Sequence, residues 1–140
     1  MTNAIFKSLF LGFILTCSTS LFAEDQLSKP LSNKLSVSGQ MSSEKFTQLI
    51  QQGFKSVIVN RPDNEEGNKV KVGQLRDIAE EKHVSVIYQP VLSGKITQTD
   101  IVEFAKYYNE LPKPILMVCK SGTRSTTLYN QAKSQGLLNE

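Results

Sequence analysis

The fragment PILMVCKSGTRST, residues 114–126, brings a thiol, a glycine, a guanidinium and several hydroxyls together within a few positions. It follows an apolar, strand-like run and leads into a helical pattern that opens near Thr123 or Arg124. In such a junction the backbone N–H groups of the loop point toward one place beside a helix N-terminus. That place binds an anion or stabilises a thiolate. Cys119, expected at the last position of the strand, is therefore the candidate nucleophile. Gly122 lets the backbone turn tightly and approach a ligand. Arg124 offers a planar fork to two oxygens of a tetrahedral oxyanion, and Ser125 is expected to donate its hydroxyl proton to the sulfur. Lys120, Ser121 and Thr123 complete the candidate anion-binding loop. The competing role for these residues is a neutral surface turn in which Lys120 and Arg124 are only solvated.

The elements that must position this loop follow from hydrophobic periodicity. Strand-like LSVSG, KSVIVN, VSVIYQP and PILMVC alternate with helical SSEKFTQLIQQG, VGQLRDIAEEKH, TQTDIVEFAKYYNEL and TRSTTLYNQAKSQG. This order predicts a single α/β domain, a mostly parallel sheet flanked by helices. The runs Val57–Val59, Val84–Tyr88 and Ile115–Val118 are almost continuously apolar, which predicts strands at the centre of the sheet. Ligands of open parallel sheets bind at the carboxyl ends of the strands, where Cys119 falls. Thr97 and Asp100 form a capping box, so Asp100 is expected to cap a helix and not to act as an acid. His83 reads as a solvated residue at a helix end.

The chain has 140 residues, a formal net charge of +3 and 39% hydrophobic residues. That balance does not call for a nucleic acid or an anionic membrane as partner. Cys17 and Cys119 are its two cysteines, and neither has companions at metal-ligand spacing, so no metal and no organic cofactor is expected. Lys7, the apolar run from Leu9 and the small-residue stretch ending at Ala23 match a secretory signal. The run is too short for a retained span, so no stable membrane segment is expected after cleavage. Export, with the periplasm as the expected compartment, would leave Cys119 as the lone thiol. The resulting division is a signal peptide over 1–23, an extended linker over 24–34, the α/β domain over 35–136 and a tail over 137–140.

The loop CKSGTRS resembles the C-x-x-G-x-R-S loop of single-domain rhodaneses and, more loosely, the C-x5-R-S/T loop of cysteine-dependent protein phosphatases. The wider run is similar to the beta-lactamase hydrolase-like family of phosphatase-like domains. It comprises SVSGQMSSEKFTQLIQQGFKSVIVNRPDNEEG, IYQPVLSGKITQTDIVEF and PILMVCKSGTRS. This resemblance implies a protein-tyrosine-phosphatase-like sandwich and either phosphatase-type hydrolysis or sulfur transfer. By position it implies Cys119 as nucleophile, Gly122 as loop glycine, Arg124 as anion-binding arginine and Ser125 as the following hydroxyl. Arg61, Asp63 and Glu65, in the family-like stretch NRPDNEE, are expected at the same sheet edge, with Asp63 as a candidate acid or a surface turn.

Three departures from the phosphatase pattern shape the expectation. Four residues separate Cys119 from Arg124 where tyrosine and dual-specificity phosphatases have five, so the ring of amides is one smaller. The loop PVLSG carries Ser93 and Gly94 where those phosphatases place an acidic residue, and Val118 stands where they have His. The resemblance makes a phosphatase-like hydrolase acting on a phosphorylated substrate the expected function. The alternatives are a sulfurtransferase forming a persulfide on Cys119 from a small anionic or sulfur-bearing donor, and a non-catalytic anion-binding module.

Overall fold

Strand alternation divides the apolar side chains between two layers, one on each face of a five-stranded sheet. In chain order the elements are β1 (Lys29–Ser32), β2 (Leu35–Ser38), α1 (Ser43–Gln51), β3 (Ser56–Val59), α2 (Val72–Glu80) and β4 (Ser85–Tyr88). They are followed by α3 (Gln98–Glu110), β5 (Ile115–Val118) and α4 (Thr123–Ser134). The computed structural model describes residues 26–140, so the expected signal segment lies outside the described residues. The strands lie in the order β1, β2, β5, β3, β4, with β1 antiparallel to β2 and every other pair parallel.

Because successive side chains on a strand face opposite ways, β5 sends Leu116 and Val118 to one layer and Ile115 and Met117 to the other. The first layer joins Val57 and Val59 of β3 to Phe46, Leu49 and Ile50 of α1 and to Val72, Leu75 and Ala79 of α2. The second joins Leu35, Val37 and Ile58 to Ile101, Phe104 and Tyr108 of α3 and to Leu128, Tyr129 and Ala132 of α4. Helices α1 and α2 thus cover one face and α3 and α4 the other. The expected α/β architecture and helical stripes are present. Thr97 and Asp100 form a reciprocal capping box, with Asp100 Oδ2 accepting from Thr97 N at 2.9 Å. His83 is exposed just beyond α2.

Three expectations need correction. The segment read as a linker contains β1, an edge strand in which Pro30 is tolerated because one side of the ladder is unpaired. The run Val84–Tyr88 supplies β4, which is an edge strand and not a central one; among the described strands only β3 and β5 are buried throughout. Apolar content reports how the two faces are covered, not how many strands flank the run. The expected tail is docked: Asn109 Nδ2 donates to Leu137 O at 3.0 Å, and Asn139 N donates to Asn109 Oδ1 at 2.8 Å.

Candidate active site

Register brings the site together. Ser38, Val118, Val59 and Tyr88 end the four parallel strands in one row. The next residue of each strand therefore lies along the carboxyl edge: Gly39, Cys119, Asn60 and Gln89. The ladder runs one step past the strands to hold them there. Cys119 N donates to Ser38 O at 3.1 Å, Asn60 N to Val118 O at 2.7 Å and Gln89 N to Val59 O at 2.9 Å. Cys119 is thus the first residue after β5, one position beyond the place expected for it.

The sulfur of Cys119 is buried, with 1% of the residue exposed, and belongs to neither apolar layer. It accepts a hydrogen bond from Gly122 N at 3.0 Å, so it is turned toward that amide of its own loop. Gly122 reaches that position with φ of 86°, a left-handed conformation that a side chain strains. Immediately afterwards the chain enters α4 at Thr123. Lys120, Ser121 and Thr123 are exposed on the rim, where Ser121 Oγ donates to Thr123 Oγ1 at 3.0 Å.

Gly39 fixes the loop from behind. A Cβ there would stand 3.0 Å from Lys120 O and 3.1 Å from Ser121 Cα, both backbone atoms that cannot swing aside. Gly39→Ala is expected to lower stability by about 1–3 kcal/mol through overpacking. Any anion affinity of the loop should fall as well, because the Lys120–Ser121 backbone must shift. A denaturant melt and a phosphate titration check both, and unchanged values for both would show that the loop has slack.

Arg124 is buried at the start of α4, yet it is not left to a ligand alone. Its Nη1 donates to Glu65 Oε2 at 2.7 Å and to Val91 O at 2.9 Å, and its Nη2 donates to Glu65 Oε1 at 2.7 Å. A guanidinium has five N–H donors in a fixed plane. These bonds use both of Nη1 and one of Nη2, leaving Nε–H and the second Nη2–H. Those two share one edge and suit a pair of oxygens on a tetrahedral anion.

Glu65 is itself gripped by Arg61, whose Nε donates to Glu65 Oε1 at 3.1 Å. Arg61 is anchored by Gln40 Oε1 at 2.6 Å and by the Glu66 carbonyl at 3.0 Å. Two cations around one carboxylate leave the cluster a net positive charge. The hydrogen bond from Arg124 is the main cause holding the Glu65 carboxyl below the usual carboxylate range, helped by the charges of both arginines and opposed by burial.

Asp63 stands elsewhere. Its Oδ1 accepts from Val72 N at 2.8 Å, the first residue of α2, and its backbone N donates to Tyr88 Oη at 2.9 Å. A carboxylate engaged at a helix N-terminus is used as a cap, which corrects its reading as a candidate acid. Ser125 needs a second correction: its hydroxyl donates to Asn60 Oδ1 at 2.8 Å and not to the sulfur. Asn60, fully buried, also donates from Nδ2 to Gln89 O at 3.1 Å. It therefore ties the turn after β4 to the start of α4.

A cavity of about 400 Å³ opens beside the loop, lined among others by Ser93, Gly94, Ile96, Lys120, Ser121 and Arg124. The PVLSG turn thus borders the site, and it brings Ser93 and Gly94 and no carboxylate. Sequence reasoning missed Gly39, Gln40, Asn60 and the Val91 carbonyl. Strand-end alignment was the one signal able to reveal Gly39 and Asn60.

Residues 28–136 match the family model described as beta-lactamase hydrolase-like protein, phosphatase-like domain. A beta-lactamase hydrolase-like protein of Agrobacterium fabrum is 35% identical over 99 residues, which are 71% of this chain and 23% of that protein. The chain thus spans about a quarter of the length of the curated relatives it matches. A Neisseria meningitidis protein provisionally described as a phosphatase superposes with a TM-score of 0.69 at 29% identity, covering 75% of each chain. The core catalytic domain of the PP-IP phosphatase SIW14 from S. cerevisiae, in complex with citrate, shares the fold. It has a TM-score of 0.62 at 16% identity, covering 78% of this chain and 65% of that one.

Proposed function

Since this chain belongs to the beta-lactamase hydrolase-like family of phosphatase-like domains, we propose that it is a cysteine-dependent hydrolase of phosphate monoesters. The observation that carries this reading is the pairing of a Cys119 sulfur that accepts from the Gly122 amide of its own loop with an Arg124 guanidinium five residues on, whose Nη atoms are held by Glu65 and Val91. In the proposed reaction the Cys119 thiolate attacks phosphorus. An S–P bond forms as the bond to the leaving oxygen breaks, and Arg124 with the loop amides holds the non-bridging oxygens. The leaving oxygen takes its proton from water. Aryl phosphates, whose leaving groups need that proton least, should therefore turn over faster than alkyl phosphates. Water then attacks phosphorus, the S–P bond breaks, and inorganic phosphate leaves a thiolate behind.

The four-residue spacing and the acid-free PVLSG turn favour a second reading, sulfur transfer. There the thiolate attacks the outer sulfur of thiosulfate, sulfite departs, and the Cys119 persulfide passes its outer sulfur to cyanide as thiocyanate. No alkoxide is released, so no acid is needed. Peptide mass after brief exposure to an aryl phosphate or to thiosulfate separates the two, since Cys119 would carry a phosphoryl group or one extra sulfur. A protein that does neither, yet binds phosphate, would be a binding module and would end both readings. The proposed setting is the periplasm, supported by the Lys7-to-Ala23 pattern; recovery of a chain beginning at Glu24 outside the cytoplasm would check it.

A further inference from the structure

The Cys119 loop has a second side. Strand β5 is followed by a helix on one face of the sheet and its neighbour β2 by a helix on the other, so the chain parts at their carboxyl ends. Such a parting is where open sheets hold ligands. A cavity of about 410 Å³ lies there, lined among others by Lys29, Gly39, Lys45, Ser121, Thr123 and Thr126.

The chemistry of this cavity is one-sided. Two lysines, several hydroxyls and loop backbone face it, and among the described residues no carboxylate lines it. Lys45 Nζ donates to Gln40 O at 3.1 Å, one bond for three donors. The salt bridges among the described residues do not include it. Burial also holds its ammonium below the ordinary lysine range. The wall opposite is fixed, because Ser38 Oγ donates to Leu27 O at 2.6 Å and keeps the start of β1 against β2. Ser121 and Thr123 line both cavities, so one extended ligand can lie across the loop.

We propose that this cavity is a second anion subsite, in which Lys29 and Lys45 hold a further phosphoryl group of the substrate whose first phosphoryl group occupies the Cys119 loop. It rests on the phosphatase-like reading only for the first group. The substrate class is then a small molecule with at least two phosphoryl groups.

Calorimetric titration of the Cys119→Ser chain with inorganic phosphate and with tripolyphosphate tests it. Tripolyphosphate should bind roughly tenfold tighter, the gain of one further charge-assisted contact. Lys45→Gln should lower that ratio, and the double variant Lys29→Met with Lys45→Met should bring it close to one. Lys106→Met, which removes an equal charge from α3, should leave it in place. Equal affinity for the two anions would overturn the subsite, as would an unchanged ratio in the double variant or an equal fall in Lys106→Met. Aryl-phosphate turnover by the unsubstituted chain is scored separately. An inactive protein that keeps the lysine-dependent ratio sinks the hydrolase and leaves the subsite standing.

Discussion

Replacing Cys119 by Ser is expected to lower aryl-phosphate turnover by roughly 10⁴-fold or more, because a hydroxyl is a far weaker nucleophile than a thiolate at neutral pH. The substitution removes the reacting atom and little else. The residue is buried, its backbone stays in the ladder through Ser38 O, and Gly122 N–H can donate to an oxygen as it does to sulfur. Phosphate affinity should therefore survive while turnover disappears. Parallel measurement of kinetics and of phosphate binding checks this. A variant that retained most of its activity would move the nucleophile away from Cys119, and with it the proposed covalent step. One that lost phosphate binding as well would show that the sulfur shapes the loop.

Cys119 and Arg124, the proposed nucleophile and anion-binding arginine, stood out because they sit on one short stretch of chain, where a strand end, a glycine and a helix start are all local signals. Their partners were not. Glu65 reaches Arg124 across 59 positions and Ser125 reaches Asn60 across 65, so these pairs exist only once the strands are in register. Ser125 shows the cost of reading locally. Its sequence neighbour suggests the sulfur as acceptor, whereas β3 delivers a buried amide oxygen that the hydroxyl takes instead. The Val91 carbonyl is beyond side-chain reasoning altogether, since any residue type could supply it.

The fold divides the same way. Helix stripes and the buried runs of β3 and β5 follow from periodicity, because period and burial are properties of a segment. Edge or centre is a property of neighbours, which is why the apolar run of β4 pointed to the wrong place. Polar, Pro-containing β1 gave no strand signal, although Lys29 in it lines the second cavity.

Arg124→Lys should cost about 10²–10³-fold in kcat/KM, the scale of losing a preorganised oxyanion donor. Lysine keeps the charge but has no planar fork, so it cannot satisfy Glu65 and Val91 and still offer two parallel donors. Glu65→Gln tests whether the fork must also be held. It keeps an acceptor and the side-chain shape but leaves Arg61 and Arg124 buried without a counter-charge, a loss of about 3 kcal/mol in stability. Catalysis should fall about 10²-fold as the guanidinium loses its fixed direction. The pH dependence of stability has a definite sign. The folded-state carboxyl of Glu65 titrates below the ordinary range, so the stabilisation is present above that range and is lost as pH falls through the folded value. Acid unfolding of the parent should therefore gain a component that Glu65→Gln lacks, while the two chains keep a constant stability difference near neutrality. Matching acid limbs in the two melts, together with unaltered kcat/KM in Glu65→Gln, would mean that Arg124 is oriented by the Val91 carbonyl alone.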